Sequence, residues 1–219
     1  PATPDAEKWN GWGTALKPSY EPAVLARKPL EGTVADNVLA HGTGGINVDG
    51  CRIGYGDQAW PGPGEKPEWE VGSVRSNVGH KLTDGTVTNP PSDLGRWPAN
   101  IYACPKASRG EREVGCDELP QVVSPKLAGA AANNPDPLSQ QFRPSPQGNH
   151  HPTVKPVKLM RWLVRLVTPP GGTVVEPFCG SGTTLIAAEA EGLTCVAVER
   201  EPGYCDIIRA RYEGAIRDD

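Results

Sequence analysis

The sequence predicts a protein of the α/β class in which parallel strands alternate with helices. The first observation is residues 173–199, where an apolar run, a glycine-rich turn, a helix-forming run and a second apolar run follow one another. Short connections of this kind are typical of a βαβ unit. The second is composition: most of the 24 prolines precede residue 170, and there are 26 glycines. We therefore expect an irregular, loop-rich insertion ahead of the βαβ unit.

Composition limits the class of protein. The chain has 219 residues, of which 37% are hydrophobic, enough for a modest core. It contains no run of about 18 apolar residues and no basic-then-apolar leader, so we expect no membrane span and a cytoplasmic location. The six cysteines form no CxxC pair and show no zinc-type spacing, which predicts free thiols and no metal site. A net charge of −4 does not indicate nucleic-acid binding, although it can conceal a local basic patch.

The first 150 residues offer few regular elements. The run 23–26 lies between prolines and predicts a short or edge strand. A short helix is expected over 33–40. From residue 31 to about 148 the sequence otherwise predicts turns. Residues 130–151 are polar and rich in helix breakers, which is typical of a mobile loop.

An amphipathic helix is predicted after Pro152. Thr153 is the expected cap and Pro156 the first-turn proline, and an apolar face is formed by Leu159, Leu163, Leu166 and Val167. The other face carries Lys155, Lys158, Arg161 and Arg165. This basic face is either simply solvated or in contact with a DNA backbone.

The βαβ unit is predicted as a strand over 173–177, a helix over 183–191 capped by Gly192, and a strand over 194–198. Gly180 and Gly182 lie at the carboxyl end of the first strand, where open α/β sheets take ligands. Glu199 follows Gly180 by 19 residues, near the distance at which an acidic side chain accepts from a ribose diol. The alternative is a tight strand-to-helix turn without a ligand.

The same turn argues against a phosphate ligand. It has only two glycines and lacks the lysine of a phosphate-binding loop. Glu176 also places a carboxylate beside the ligand, which would repel pyrophosphate and attract a cation. S-adenosylmethionine, with its sulfonium, amino group and ribose, therefore fits better.

At this point a family resemblance becomes specific. The stretches "HPTVKPVKLMRWLVRLVTPPGGTVVEPFCGSGTT" and "CVAVEREPGYCDIIRARY" resemble the cofactor-binding half of the DNA amino-methyltransferases that modify adenine-N6 or cytosine-N4. "GWGTALKPSYEPAVLARKPL" is similar to the last core strands of the catalytic half, particularly in phage-borne members, and "RWPANIYACPKASRGERE" to a stretch between the halves. The resemblance covers roughly 120 residues, is most specific over 151–212, and implies part of a Rossmann-like methyltransferase core.

The resemblance also implies roles for individual residues. Glu176 would face the amino group of S-adenosylmethionine and Glu199 its ribose hydroxyls, while Thr153 and Lys155 would lie beside the methionine tail. Cys179 is expected to be a small filler and not a nucleophile, since amino methylation needs no covalent intermediate. The complete set of expected cofactor contacts is Thr153, Lys155, Glu176, Pro177, Phe178, Cys179, Gly180, Ser181, Gly182, Thr183 and Glu199.

The family's catalytic tetrapeptide, (D/N/S)PP(Y/F/W), does not occur in the sequence. Its aromatic residue would stack on a flipped-out base. The nearest match, "NPPS" at 89–92, lacks the aromatic and is better interpreted as a surface turn. In the family's order the tetrapeptide would precede Trp9, so Pro1 looks like a cut. We therefore assign no catalytic residue here and expect an upstream catalytic half, on the same precursor or on a separate polypeptide.

Residues 31–150 occupy the place of a target-recognition region for double-stranded DNA. Trp60, Trp69, Trp97 and Tyr102 are either base-stacking residues or a small local core. The candidate phosphate contacts are Arg96, Lys106, Arg109 and Arg112, with a solvated cluster as the alternative. The four histidines, His41, His80, His150 and His151, have no recognisable partner pattern and receive no role.

These expectations divide the chain into three parts. Residues 1–30 hold the terminal strands of the catalytic half, 31–150 the insertion and 151–219 the cofactor half. The expected function is methyl transfer from S-adenosylmethionine to the amino group of adenine, or less favourably cytosine. The alternatives are a non-catalytic subunit that binds cofactor and DNA, and a methyltransferase of proteins or small molecules, which the long insertion disfavours.

Overall fold

The computed structural model describes residues 3–9, 12, 21–55, 57, 95–98, 100–123 and 146–217. Within these residues the helices, in chain order, are α1 (Pro4–Glu7), α2 (Val34–His41), α3 (Arg109–Glu113), α4 (Val157–Val167), α5 (Thr183–Ala190) and α6 (Pro202–Arg217), and a 3₁₀ turn lies at Asp49–Cys51. The strands are β1 (Thr173–Glu176) and β2 (Thr194–Ala197). Trp60, Trp69, His80, the "NPPS" turn and residues 130–145 lie outside the described residues.

The βαβ unit forms as the sequence predicts. β1 and β2 pair in parallel, with Thr173 opposite Thr194 and Glu176 opposite Ala197, and α5 connects them. The end of α5 is closed by two backbone bonds, from Gly192 N–H to the Glu189 carbonyl at 2.9 Å and from Leu193 N–H to the Ala188 carbonyl at 2.9 Å. These bonds satisfy the last free carbonyls of the helix, the role predicted for Gly192.

The core lies between α4, α5 and the sheet. Val164 of α4 packs with Ala187 and Ala188 of α5 and with Leu193, and Met160, Val174 and Cys195 pack against this cluster. The predicted apolar face of α4 was therefore wrong in detail. Val164 is the buried residue, whereas Val167 is 47% exposed, because α5 lies against the 160/164 side of the helix.

The start of α4 also differs from the prediction. Thr153 does not cap the helix, which begins at Val157 with Pro156 as N-cap and no side-chain cap bond from that residue. Instead, Glu111 of α3 accepts a hydrogen bond from the Val157 amide at 2.5 Å. A first-turn amide needs an acceptor, and here a residue 46 positions away supplies it.

The strand predicted at 23–26 is absent: residues 21–30 form no strand. The segment is exposed except at its last residue, and Arg27 fixes it by donating to the Gly44 carbonyl at 2.6 Å. With prolines on both sides, a four-residue run offers too few amides for a ladder. The helix expected at 33–40 is present as α2, where Thr33 and Asp36 form a capping box.

Helix α3 is an element of the insertion that the sequence did not predict. Ser108 caps it by accepting from the Glu111 amide at 3.1 Å. Directly after it, Gly115 has φ +71, and a Cβ there would lie 2.1 Å from the Ala210 carbonyl oxygen of α6. The close backbone approach to α6 therefore requires glycine at 115 and places α3 beside the end of the chain.

Candidate functional site

The candidate site is the loop between β1 and α5, residues 177–182. Parallel pairing continues past the strand ends, because Val198 N–H donates to the Glu176 carbonyl at 2.8 Å and Cys179 N–H to the Val198 carbonyl at 2.9 Å. The loop is thereby fastened to the carboxyl end of β2. Both strands point their carboxyl ends at this edge, the usual ligand position in open α/β sheets.

Gly180 is required by its surroundings. Its φ is +60, and a Cβ on it would lie 2.9 Å from Nε2 of His151. Gly182, the N-cap of α5, has φ +82, and a Cβ on it would lie 3.3 Å from Ile208 of α6. The loop is thus held between the His151 ring and α6, so that a Cβ would overlap the ring at Gly180 and crowd Ile208 at Gly182.

Glu199 joins the end of β2 to the glycine loop. Its Oε2 accepts from Gly180 N–H at 2.8 Å, and its Oε1 accepts from the amides of Arg200 at 2.8 Å and Glu201 at 2.9 Å. The amides of Glu201 and Gly180 hold the pKa of this carboxyl below its usual range. Glu199 is therefore ionised at neutral pH. It lies beside the glycine loop, as its spacing from Gly180 predicts.

Glu176 ends β1 on the other side of the loop. Its Oε1 accepts from Phe178 N–H at 3.0 Å and its Oε2 from the Thr184 hydroxyl at 2.9 Å. The two carboxylates thus flank the glycine loop, each tied to it by backbone amides. Phe178, between them, has 86% of its surface exposed, which leaves an aromatic ring free to contact a ligand.

Cys179 is buried, and burial raises the pKa of its thiol to about 12. A thiol of this kind stays protonated and is a poor nucleophile. The environment agrees with the filler role expected for Cys179. The six cysteines carry free thiols in the structure.

His151 is a site residue that sequence reasoning missed. Its ring contacts Gly180 and packs edge-on against Tyr204 of α6, with ring centroids 4.6 Å apart. Nδ1 accepts from Thr153 N–H at 3.3 Å. Burial lowers the pKa of His151, so the imidazole is the neutral form in this setting. Its partners lie 29 and 53 positions away in the sequence, beyond any local pattern.

Arg211 is the second residue that was missed. It is fully buried in α6, and its guanidinium donates to Ser181 of the loop and to Thr183 at the start of α5. A signal was present in the sequence, since Arg211 follows the buried Ile207 by one helical turn and therefore shares its inward face.

Thr153 and Lys155, expected beside the methionine tail, lie on the segment that leads into α4. Thr153 is exposed, and its backbone amide donates to His151. The ammonium of Lys155 forms an ion pair with Glu21.

The predicted basic face of α4 is not a simple solvated stripe. Arg161 and Arg165 on this face both bind Glu191 at 2.7 Å or less.

The four candidate phosphate contacts lie in different environments. Lys106 and Arg109 are exposed, and Arg109 donates to the Pro146 carbonyl at 3.4 Å. Arg96 is half-buried and stacks over Tyr55 at 5.2 Å. Arg112 is half-buried and donates to the His151 carbonyl at 3.5 Å. The structure therefore directs Arg112 toward the protein interior and the first two toward solvent.

The aromatic residues of the insertion also divide. Tyr102 stacks on Trp162 of α4 with centroids 4.8 Å apart, which makes it part of a local core. Trp97 is 66% exposed, with Arg52 over its ring at 5.3 Å.

Within the described ranges no three His, Cys, Asp or Glu side chains gather as a metal-binding group. No described helix combines the length and apolar character needed to cross a lipid bilayer.

Comparison with known proteins identifies the family. The family model N6_N4_Mtase, described as DNA methylase, matches residues 54–210. The protein YubD of Escherichia coli (strain K12), whose name describes it provisionally as a methylase, is 35% identical over 152 residues, covering 66% of this chain and 58% of its own. Type II methyltransferase M.BglI of Bacillus subtilis is 37% identical over 67 residues, covering 31% of this chain and 19% of its own.

These matches span only part of each relative: 58% of the length of YubD and 19% of that of M.BglI. Among solved structures, the crystal structure of the M1.HpyAVI-SAM complex shares 34% sequence identity with a TM-score of 0.28, over 28% of this chain and 30% of that one. That overlap is too small to support an argument about the fold. The family model, however, matches well over half of the chain, and the chain therefore belongs to the N6/N4 DNA methylase family.

Proposed function

We propose that this chain provides the S-adenosylmethionine-binding half of a DNA amino-methyltransferase. The observation that carries the proposal is the pair of carboxylates, Glu176 and Glu199, that flank one glycine loop at the ends of adjacent parallel strands. A cationic, ribose-bearing ligand matches this arrangement better than a phosphate does.

The free acceptor capacity of the two carboxylates fits the cofactor. An ionised carboxylate offers about four lone-pair sites. Glu199 uses three of them on the amides of Gly180, Arg200 and Glu201, which leaves one on Oε2 for a ribose hydroxyl. Glu176 uses two, on Phe178 and Thr184, and has two left for the ammonium of the methionine moiety.

The other predicted contacts surround these two. Exposed Phe178 would cover the adenosine, and the backbone of Pro177, Cys179, Gly180, Ser181, Gly182 and Thr183 would line the cofactor. Thr153 and Lys155 would contact the methionine tail, and Lys155 would exchange its partner Glu21 for the cofactor carboxylate. The family membership supports this placement.

In the proposed reaction the cofactor supplies a methyl group activated by its sulfonium. The residues of this chain would bind and orient it for in-line attack by the amino group of a flipped base, in which the carbon–sulfur bond breaks as the carbon–nitrogen bond forms and the amino group gives up one proton. Acceptors that hold that amino group would come from the family's tetrapeptide on an upstream catalytic half. We propose adenine as the base in preference to cytosine, double-stranded DNA as the partner and the cytoplasm as the location.

Calorimetric titration with S-adenosylmethionine tests the cofactor site. The wild-type chain is expected to bind, and Glu199→Gln and Glu176→Gln each to lose about tenfold or more in affinity, the equivalent of one hydrogen bond to a charged group. Glu201→Gln is the matched control, because among the described residues its exposed side chain pairs with the neighbouring Arg200 and not with the loop. A wild-type chain that does not bind, or a Glu199→Gln variant that binds equally well, would contradict the site.

Methyl transfer is tested separately. Radiolabelled cofactor and duplex DNA would be incubated with the chain alone, and with the chain plus a polypeptide that carries the family's tetrapeptide. The proposal expects N6-methyladenine in the hydrolysed DNA only with both components. Efficient transfer by residues 1–219 alone would refute the split arrangement, whereas cofactor binding without transfer under every condition would favour the non-catalytic subunit.

A further inference from the structure

Arg211 is a buried cation behind the glycine loop. Its side chain is fully buried and ranks among the largest such side chains in the described residues. Burying a charge costs free energy unless its hydrogen bonds are satisfied. A buried arginine is therefore expected where its donors make specific contacts.

The partners of Arg211 belong to two separate elements. One guanidinium nitrogen, Nη1, donates to the Ser181 carbonyl at 2.5 Å, to the Ser181 hydroxyl at 3.2 Å and to the Thr183 hydroxyl at 3.2 Å. The other, Nη2, donates to the Glu111 carbonyl of α3 at 3.1 Å. The side chain therefore connects the loop that precedes α5 with the unpredicted helix of the insertion.

The partners in these bonds are neutral oxygen atoms. The Glu111 carboxylate is engaged elsewhere, on the Val157 amide. An ion pair would place a carboxylate on the guanidinium, whereas here Nη1 and Nη2 are bound by carbonyl and hydroxyl oxygens of the loop, α5 and α3, and Nε has no partner among the described residues. The arrangement orients the loop and does not merely neutralise a charge.

The consequence is a loop held from two directions. Glu199 accepts from the Gly180 amide and so ties the loop to the end of β2. Arg211 donates to Ser181 and Thr183 and so ties the loop and the start of α5 to α6 and α3. Loops that bind ligands are usually drawn from the less stable parts of a protein, so fixing one in advance lowers the ordering cost of binding.

We propose that Arg211 is a positioning residue that holds the glycine loop in its cofactor-binding conformation by tying it to α3. The inference rests on the proposed function, because the ligand of the loop is S-adenosylmethionine. Arg211 lies outside the set of expected cofactor contacts, and from its buried position it would act on the ligand only through the loop.

Two variants and one control test the role. Arg211→Lys keeps the charge but cannot span both elements, and Arg211→Met removes the donors. Arg209→Met is the matched control, since Arg209 lies on the same helix, is 71% exposed and pairs with the exposed Asp206 at 2.9 Å. The cofactor affinity of each folded variant would be measured by calorimetry well below its melting temperature.

Arg211→Lys and Arg211→Met are expected to lose about tenfold or more in affinity, with Arg209→Met within about twofold of wild type. Hydrogen exchange without cofactor supplies a second readout. In Arg211→Lys the amides of 180–184 should exchange at least about tenfold faster, while those of β1 and β2 stay within about twofold. A merely structural role would instead raise exchange throughout the chain.

Amide hydrogen exchange of the wild-type chain tests the role of Arg211 even if both variants fail to fold. The amides of 180–184 are expected to be protected to a degree similar to α6, and a loop that exchanges freely beside a protected α6 would overturn the inference. Equal cofactor affinity in a folded Arg211→Lys would also overturn it. If instead the wild-type chain does not bind the cofactor, the proposed function fails, while the exchange result still decides whether Arg211 holds the loop.

Discussion

At the residue scale, the site depends on two contacts made by His151 and Glu199 on the same glycine. The His151 ring excludes any side chain at Gly180 from one side, and Glu199 fixes its amide from the other. Glycine is required here for space as well as for its φ of +60. These two requirements can be separated by mutation.

Gly180→Ala is expected to weaken cofactor binding about tenfold, because the new Cβ would displace His151 or the loop. Gly42→Ala is the matched control: Gly42 has φ +67, close to that of Gly180, but a Cβ there meets nothing within 4 Å. Both changes should cost about 1–2 kcal/mol of stability through backbone strain. If the two variants bind the cofactor equally well, the contact with His151 is irrelevant to binding.

His151 gives the fold a pH dependence of defined sign. Burial lowers its pKa, Glu199 opposes this, and the neighbouring His150, Arg211 and Arg112 add to it. The unfolded chain therefore takes up the proton at a higher pH than the folded one. The stability that comes from the neutral ring is complete above about pH 6.5 and is lost as the pH falls through the folded pKa.

His151→Gln should remove this component. Between about pH 7.5 and 5.5 the free energy of unfolding of wild type is expected to fall more steeply than that of the variant, by up to ~1.4 kcal/mol per pH unit for one proton. Denaturant titrations at a series of pH values measure the difference. Parallel pH profiles for the two proteins would contradict the assignment.

At the element scale, the packing of α4 on α5 is secured by a charged cluster at its rim. Glu191, the C-cap of α5, is only 11% exposed and binds Arg161 and Arg165. A carboxylate at a helix C-terminus is unfavourable with the helix dipole, so the two guanidinium groups compensate for it. They also hold the pKa of Glu191 below its usual range, the hydrogen bond from Arg165 contributing most.

Glu191→Ala is expected to destabilise the chain by about 2 kcal/mol, since it leaves two half-buried cations without their partner. Asp206→Ala removes an exposed pair from α6 and should change stability by less than about 0.5 kcal/mol. Thermal and urea unfolding would measure both. Equal effects of the two changes would mean that the cluster contributes no more than a surface ion pair.

At the scale of the whole molecule, α3 joins the insertion to the cofactor half. Glu111 accepts from the Val157 amide at 2.5 Å. The fully buried Asn149 side chain donates to the Arg112 carbonyl at 2.7 Å and accepts from the His151 amide at 3.1 Å. Tyr102 and Trp162 form a second junction. The described parts of the insertion and of the cofactor half are therefore expected to unfold together.

Asn149→Leu should cost about 2 kcal/mol, because a buried carbonyl and the His151 amide lose their partners. The exposed Asn100→Leu is the control. Unfolding followed by tryptophan fluorescence and by far-ultraviolet circular dichroism should give coincident transitions in wild type. Two separated transitions would show that α3 does not couple the parts.

The distribution of charge predicts a weak dependence of DNA binding on salt. Of the four residues proposed to contact duplex DNA, Arg112 faces inward and Arg96 lies over Tyr55, which leaves about two phosphate contacts and an expected slope of log K against log salt of about −2. Arg109→Ala should reduce the magnitude of that slope by about 1, and Arg112→Ala should leave it unchanged. Fluorescence anisotropy with labelled duplex DNA checks both values.

The sequence by itself determined the βαβ unit, the glycine loop and the position of Glu199. These features depend on local signals, namely apolar runs, turn residues and a spacing of 19 between Gly180 and Glu199, and the structure reproduces them. It also predicted a short helix over 33–40, which is present as α2. These elements are determined by residues close together in the sequence, so local patterns are enough to predict them.

Only the tertiary structure decided which distant residues support the loop. Arg211 meets Glu111 across 100 positions, Val157 receives its cap from Glu111 across 46, and Arg161 meets Glu191 across 30. Periodicity marks which face of a helix is buried, but it does not state what that face will meet. Those partners are fixed by packing, because a buried charge or amide must take whichever acceptor the fold places beside it.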